Sequence, residues 1–286
     1  MAKIQDPAKG QRVALITGAN TGIGRVTARE LAKQGVHVFV ACRSKERTQP
    51  LLDEVRAVAP GAKVEWLALD LTRFESIRRC AQTFLARGLP LHLLINNAGL
   101  AGAKGLTQDG FELAFGVNHL GHFLLTKLLL ERIQSSAPAR IVTVASRAHR
   151  QAPGIDWQAL RQPTRTASAI AEYGVSKLAN ILFSAELARR LQGSGVTTYS
   201  LHPGVVASDV WRSVPWPLRT VIKLFMLSPE QGAATTLHCA NSDSLAAESG
   251  LYYDACRVKV PSKLAQDPAL AAELWKVSQD WVREAV

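Results

Sequence analysis

The sequence lacks paired cysteines. Its four, Cys42, Cys80, Cys239 and Cys256, are scattered without any C-x-x-C spacing. That argues against a disulfide framework in a chain of 286 residues and fits a reducing compartment. It also has no evident apolar run of the roughly 18 residues a membrane-crossing helix needs. The opening MAKIQDPAKGQR runs into a strand without an apolar signal region. We therefore expect a cytoplasmic protein with no integral membrane segment. No G-x-S-x-G elbow occurs, which sets aside a serine hydrolase of that type. Nor is there a Pro/Gly/Ser-rich linker or an internal repeat, so one domain over residues 1–286 is expected. Lastly, the basic residues form no tract. The chain carries 34 of them against 23 acidic ones, a formal charge of +11, but they are spread along its length. The nearest to a run, Arg43-Ser44-Lys45-Glu46-Arg47, contains a glutamate. Nucleic acid is not an expected partner. Peripheral membrane contact and a diffuse bias toward an anionic cofactor both stay open.

What is present is an ordinary globular composition, 47% hydrophobic and 20% charged, with mass for a sizeable core. Short apolar runs at 12–17, 36–41, 63–69, 91–95, 140–145 and 197–201 read as strands. Amphipathic stretches at 24–34, 46–58, 74–86, 109–135 and 172–192 read as helices between them. Strands apolar throughout and separated by helices indicate a parallel sheet covered on both faces, the doubly wound Rossmann-type α/β architecture. Residues 147–166 read as a loop. The apolar segment 205–227, with Trp211, Trp216 and Phe225, reads as a lid over a hydrophobic pocket, Trp211 being the candidate substrate contact. Residues 268–286 read as an amphipathic helix with Leu270, Leu274, Val277 and Trp281 on its packing side.

The first strand runs into Thr17-Gly18-Ala19-Asn20-Thr21-Gly22-Ile23-Gly24 and then a helix. A pyrophosphate needs close backbone approach and free N–H groups at a helix N-terminus, and glycine permits both. The spacing is Gly-x3-Gly-x-Gly, and its place at the first βα junction marks it as a nucleotide turn. At the end of the second strand a carboxylate would accept from a ribose 2′-hydroxyl and repel a 2′-phosphate. Here Val40-Ala41-Cys42-Arg43-Ser44-Lys45 supplies no acid before Glu46. Arg43 offers a planar charged fork suited to phosphate, so NADP(H) is expected over NAD(H).

Tyr173-Gly174-Val175-Ser176-Lys177 opens the helix at 172–192. Residues four apart share a helix face. An ammonium ~5 Å from a phenol favours phenolate by ~3 kcal/mol at an effective dielectric of ~20. That would bring an ordinary tyrosine pKa of ~10 down to ~8, within working range for acid–base catalysis. His119 and His122, three apart on a helix, show no third ligand, so packing is expected and no metal.

In order along the chain stand TGANTGIG, Asp70-Leu71, Asn96-Asn97-Ala98-Gly99, Asn118, Ser146, YGVSK and Pro203-Gly204. Together they resemble the short-chain dehydrogenase/reductase family over roughly residues 12–253. The resemblance implies a catalytic tetrad of Asn118, Ser146, Tyr173 and Lys177. Ser146 would orient the substrate oxygen and Tyr173 would exchange its proton with that oxygen. Lys177 would hold the ribose hydroxyls, and the Asn118 carbonyl would hold a relay water. Gly18, Ala19, Asn20, Thr21, Gly22, Ile23 and Gly24 would carry the pyrophosphate. Asp70 and Leu71 would meet adenine, and Asn97, Ala98 and Gly99 the adenosine side. Pro203, Gly204, Val206 and Ser208 would flank the nicotinamide, although many members have threonine where Ser208 stands. DGFELAFGVNHLGHFLLTKLLLERI and the tail ELWKVSQDWV resemble the retinol dehydrogenase-like branch, which implies lipophilic alcohols and carbonyls as substrates. Animal members of that branch carry an N-terminal membrane anchor, which this sequence does not show. Homo-oligomers are common in the family and are expected here. A cofactor-dependent epimerase and a non-catalytic NADP(H)-binding regulator share the fold. Retention of the tetrad speaks against the regulator.

Overall fold

The computed structural model describes residues 10–204 and 227–284. Strands β1 (Val13–Thr17), β2 (His37–Cys42), β3 (Val64–Ala68), β4 (Leu93–Asn96), β5 (Ala139–Val144), β6 (Val196–His202), β7 (Leu251–Asp254) and β8 (Arg257–Val258) form one sheet, ordered β3-β2-β1-β4-β5-β6-β7-β8. All neighbours are parallel except β8, which runs antiparallel to β7. The helices are α1 (Gly22–Lys33), α2 (Gln49–Val58), α3 (Phe74–Leu85), the single turn α4 (Leu113–Phe115), α5 (Gly121–Ser135), α6 (Ile170–Arg190), α7 (Pro229–Asn241) and α8 (Pro268–Glu284).

Strand alternation divides the core in two. Val13 and Leu15 of β1 join Phe39, Ile77, Phe84 and the inner faces of α5 and α6. Ala14 and Ile16 face the other way, onto α1, α2 and α7 through Leu31, Leu51 and Cys239. β1 is buried along its whole length because it has helices on both sides. The chain leaves β1 for β2 and returns on the other flank as β4, paired Ala14 to Leu93. Doubly wound sheets bind ligands in the crevice at the carboxyl ends of strands where the order reverses in this way.

Three differences from the sequence reading have physical causes. The helical run expected from 109 begins at Leu113. Asp109 Oδ2 instead accepts from Phe74 N at the start of α3 (2.9 Å), and Thr107 Oγ1 accepts from Phe111 N (3.1 Å). The run Leu113–Ser135 does have the length and mean hydropathy (1.3) to cross a membrane, but 78% of that window is buried in the protein interior. In the tail helix α8 the fully buried residues are Ala271, Leu274, Trp275, Ser278 and Val282. Of the expected packing residues Leu274 is among them, Leu270 and Trp281 pack partly buried against the same core, and Val277 is half-buried. The buried stripe is therefore wider than expected and takes in Trp275. Trp275 stacks on Phe183 of α6 (centroids 6.0 Å, planes 13° apart) and meets Phe123 of α5 edge-on at 5.0 Å. The segment expected as a lid lies outside the described residues, apart from Leu227.

Candidate active site

The phosphate turn joins β1 to α1, and its fit depends on Gly24. A Cβ there would lie 2.5 Å from Asn97 Nδ2 and 2.7 Å from Gly18 O. Only a residue without a side chain lets α1 start so close to the end of β4. Asn97 fastens that junction, donating from Nδ2 to Thr17 O (2.8 Å) and Gly18 O (3.2 Å). Thr21 caps α1 without a side-chain hydrogen bond, and the first turn holds no acid. The leading N–H groups and the positive end of the helix dipole therefore have no side-chain cap, which suits an anionic group.

A cavity of about 690 Å³ extends from this turn across the carboxyl ends of the strands. Gly18, Asn20, Thr21, Gly22, Ile23, Gly24, Arg43, Asp70, Leu71, Asn97, Ala98, Gly99, Ser146, Tyr173, Lys177, Pro203 and Gly204 all line it. Ala19 and Asn118 do not; both are fully buried behind the wall. Val206, Ser208 and Trp211 lie outside the described residues. At the β2 end Arg43 is exposed and, among the described residues, makes no ion pair. Arg47 and Ser44, to which the sequence reading gave no role, line the cavity beside it. Ser44 Oγ accepts from Arg47 N (3.1 Å), and that turn brings the second arginine round to the same wall. Asp70 Oδ1 accepts from Thr72 N and Oγ1 (3.0 and 2.8 Å), which fixes its carboxyl group.

At the far end β5 delivers Ser146, and α6 delivers Tyr173 and Lys177 on one face. Gly174 permits their approach, since a Cβ on it would stand 3.0 Å from Ala148 O in the turn that follows Ser146. Burial raises the pKa of the partly buried Tyr173 phenol, and a hydrogen bond with Ser146 opposes that rise. Lys177 is 3% exposed. Its Nζ donates to Val144 O (2.8 Å) and lies 5.6 Å from the centre of the Tyr173 ring. Burial pushes the Lys177 pKa down to about 7. In this arrangement burial dominates both groups, and Ser146 is what favours the phenolate.

Asn118 sits in a π-helical turn, Gly116–Leu120, between α4 and α5. π-turns of this kind are frequent at functional sites. Its side chain bonds both backbone groups of Leu100 (2.9 and 3.0 Å) and donates to Ser176 Oγ (2.9 Å). Ser176 in turn donates to Tyr173 O (2.7 Å). The Asn118 carbonyl, expected to hold a water, accepts from His122 Nδ1 (3.0 Å). The two α5-side histidines are fully buried, with His119 bonded to Ser278 Oγ (2.9 Å) and His122 to Thr17 Oγ1 (2.9 Å). Sequence reasoning also missed His202, which lines the cavity just before Pro203-Gly204 and whose Nδ1 accepts from Arg147 N (3.4 Å). Its place at a strand end, ahead of a Pro-Gly pair, was the available signal.

A family model described as short chain dehydrogenase matches residues 12–216. The chain is 48% identical over 281 residues to Retinol dehydrogenase 12 of Mus musculus, covering 96% of this chain and 86% of that protein. It is 46% identical over 273 residues to Retinol dehydrogenase 11 of Homo sapiens, covering 94% and 85%. A crystal structure of an uncharacterised protein from Mycobacterium paratuberculosis superposes with a TM-score of 0.75 at 36% identity, over 96% of this chain and 94% of that one. With a doubly wound sheet, a nucleotide turn at its switch point and Ser146, Tyr173 and Lys177 gathered in one cleft, the chain belongs to the short-chain dehydrogenase family of nicotinamide-dependent oxidoreductases acting on alcohols and carbonyls.

Proposed function

We propose that this protein uses NADP(H) to interconvert lipophilic alcohols with their aldehydes or ketones. The observation that carries the reading is one continuous cavity with Arg43 and Arg47, which make no ion pair among the described residues, at one end and Ser146, Tyr173 and Lys177 at the other. The residues present fit a dinucleotide. The α1 N-terminus lacks a side-chain cap and would receive the pyrophosphate, and Arg43 with Arg47 would grip a 2′-phosphate. When bound, the nicotinamide would supply or take up the hydride.

The protein's part is to place the substrate and move one proton. The Ser146 hydroxyl and the Tyr173 phenol would both hydrogen-bond the substrate oxygen, fixing it and stabilising its developing negative charge. In reduction Tyr173 Oη gives its proton to that oxygen, and in oxidation it removes it. Because burial holds the phenol protonated, the group is ready as an acid. To act as a base it needs stabilisation of its phenolate, which Ser146 provides from one side. Lys177 would hold ribose hydroxyls, and a protonated Nζ near the phenol favours the same charge. Asn118 would brace this end through Leu100 and Ser176. The names of the relatives make retinal a natural substrate to test.

The experiment is an absorbance assay of NADPH and NADH consumption with retinoid, aliphatic and aromatic aldehydes. Net consumption with lipophilic aldehydes is expected; an epimerase or a regulator would give none. Arg43→Asp should raise KM for NADPH far more than for NADH. Tyr173→Phe should abolish turnover while NADPH binding persists. Equal effects of Arg43→Asp on both cofactors would refute the NADP(H) assignment.

A further inference from the structure

His122 stands behind the cleft wall, fully buried, and the tetrad does not use it. Its two ring nitrogens have partners of different kinds. Nδ1 lies 3.0 Å from the Asn118 carbonyl, which can only accept, so Nδ1 carries the hydrogen. Burial holds the imidazole neutral, with its pKa pushed down to about 4, so Nε2 is left as an acceptor. Its partner at 2.9 Å is the hydroxyl of Thr17, which must therefore donate to it. That leaves both lone pairs of Thr17 Oγ1 for the backbone N–H groups of Asn97 and Ala98, each at 3.0 Å. The hydrogens and lone pairs match one to one. Without His122, the Thr17 proton has, among the described residues, only Ile95 O at 3.5 Å to turn to, which is a poor bond.

We propose that His122 is a positioning residue that couples the two halves of the site. Through Nε2 it orients Thr17 as a double acceptor and so fixes the Asn97–Ala98 wall against the phosphate turn. Through Nδ1 it holds the carbonyl of Asn118, and with it the turn that braces Leu100 and Ser176. This rests on the NADP(H) reading above. The two functions belong to different nitrogens, so different substitutions separate them. Glutamine carries an acceptor to the place of Nε2 but cannot serve the Asn118 carbonyl as Nδ1 does. Asparagine donates from the place of Nδ1 but does not reach Thr17. Phenylalanine keeps the ring and loses both bonds.

The test titrates His122→Gln, His122→Asn and His122→Phe with NADPH by quenching of tryptophan fluorescence, alongside kcat and Tm. His122→Asn and His122→Phe should weaken NADPH binding about tenfold, roughly the worth of one or two lost hydrogen bonds, whereas His122→Gln stays within about threefold. Turnover should divide the other way, with His122→Gln and His122→Phe losing more kcat than His122→Asn. Binding by His122→Phe within twofold of the parent would overturn the proposal. So would parallel losses of affinity, kcat and Tm in all three. If the parent itself fails to bind NADPH, the functional reading fails instead. The 15N shifts of the His122 ring in the protein alone then decide the inference: hydrogen on Nδ1 supports it, and hydrogen on Nε2 refutes it.

Discussion

Replacing Lys177 with methionine tests the claim that burial governs this end of the cleft. The ammonium donates to Val144 O and has almost no contact with solvent. Its pKa is about 7 in the folded protein against 10.5 for an ordinary lysine. Between those values the unfolded chain binds a proton that the folded chain has released, so stability rises with pH across that window. Below about pH 7 both states are protonated and the full cost of the buried charge is present. The slope approaches 1.4 kcal/mol per pH unit, giving roughly 1.3 kcal/mol between pH 8 and pH 9. For a chain of this size that corresponds to about 2 °C in Tm. Methionine fills much of the same space without a charge, so its Tm should lack this rise. The assay is thermal unfolding of both proteins without cofactor from about pH 6 to pH 9.5, comparing the difference in Tm. The variant should be the more stable at pH 6, and its advantage should shrink steadily above pH 7. Curves that stay parallel would refute the reasoning, since other titrating groups are common to both proteins.

Gly24→Ala places a methyl 2.5 Å from Asn97 Nδ2 and 2.7 Å from Gly18 O, so NADPH affinity measured by fluorescence should fall at least tenfold. Trp275→Ala removes a ring packed on Phe123 and Phe183 and covered by Arg190 at 4.5 Å; denaturant unfolding should show a loss of about 3 kcal/mol. The β7–β8 turn holds Ala255 and Cys256 at φ 51° and 59°, both left-handed without glycine. Ala255→Asn with Cys256→Gly, the pair such a hairpin favours, should raise stability by about 1 kcal/mol in the same assay.

The strands flanking the cleft were legible because each is a continuous apolar run between helical stretches, and the turn, Ser146 and the Tyr173–Lys177 pair lie at its strand ends and helix starts. α7, β7 and β8 were not read from the sequence. PEQGAATTLHCAN mixes glycine, threonine and alanine on all sides, so it shows no stripe. Its only announcement is the capping box of Ser228 and Gln231 with Pro229 between them. LYYD and the two residues of β8 are too short to show alternation. The rest of the site was hidden by distance along the chain. Thr17 and His122 are 105 positions apart and Asn118 and Ser176 are 58, and no local pattern reports such pairings. The burial of Tyr173 and Lys177 was not legible for a related reason. A spacing of four says that two groups are neighbours, but not how little water reaches them.

The packing of α8 onto α5 and α6 bears on how the protein is made. His119 meets Ser278 across 159 positions of sequence. At ribosomal speeds of about 5–20 residues per second, that separation means roughly 8–30 seconds between the emergence of the two partners. Once Phe183 has emerged, the aromatic seam it forms with Phe115 and Phe123 still waits for Trp275 and Trp281 of α8 to close it. A nascent chain in that condition exposes apolar surface of the kind that makes partly folded species prone to aggregate, so its yield is expected to rise with chaperone supply.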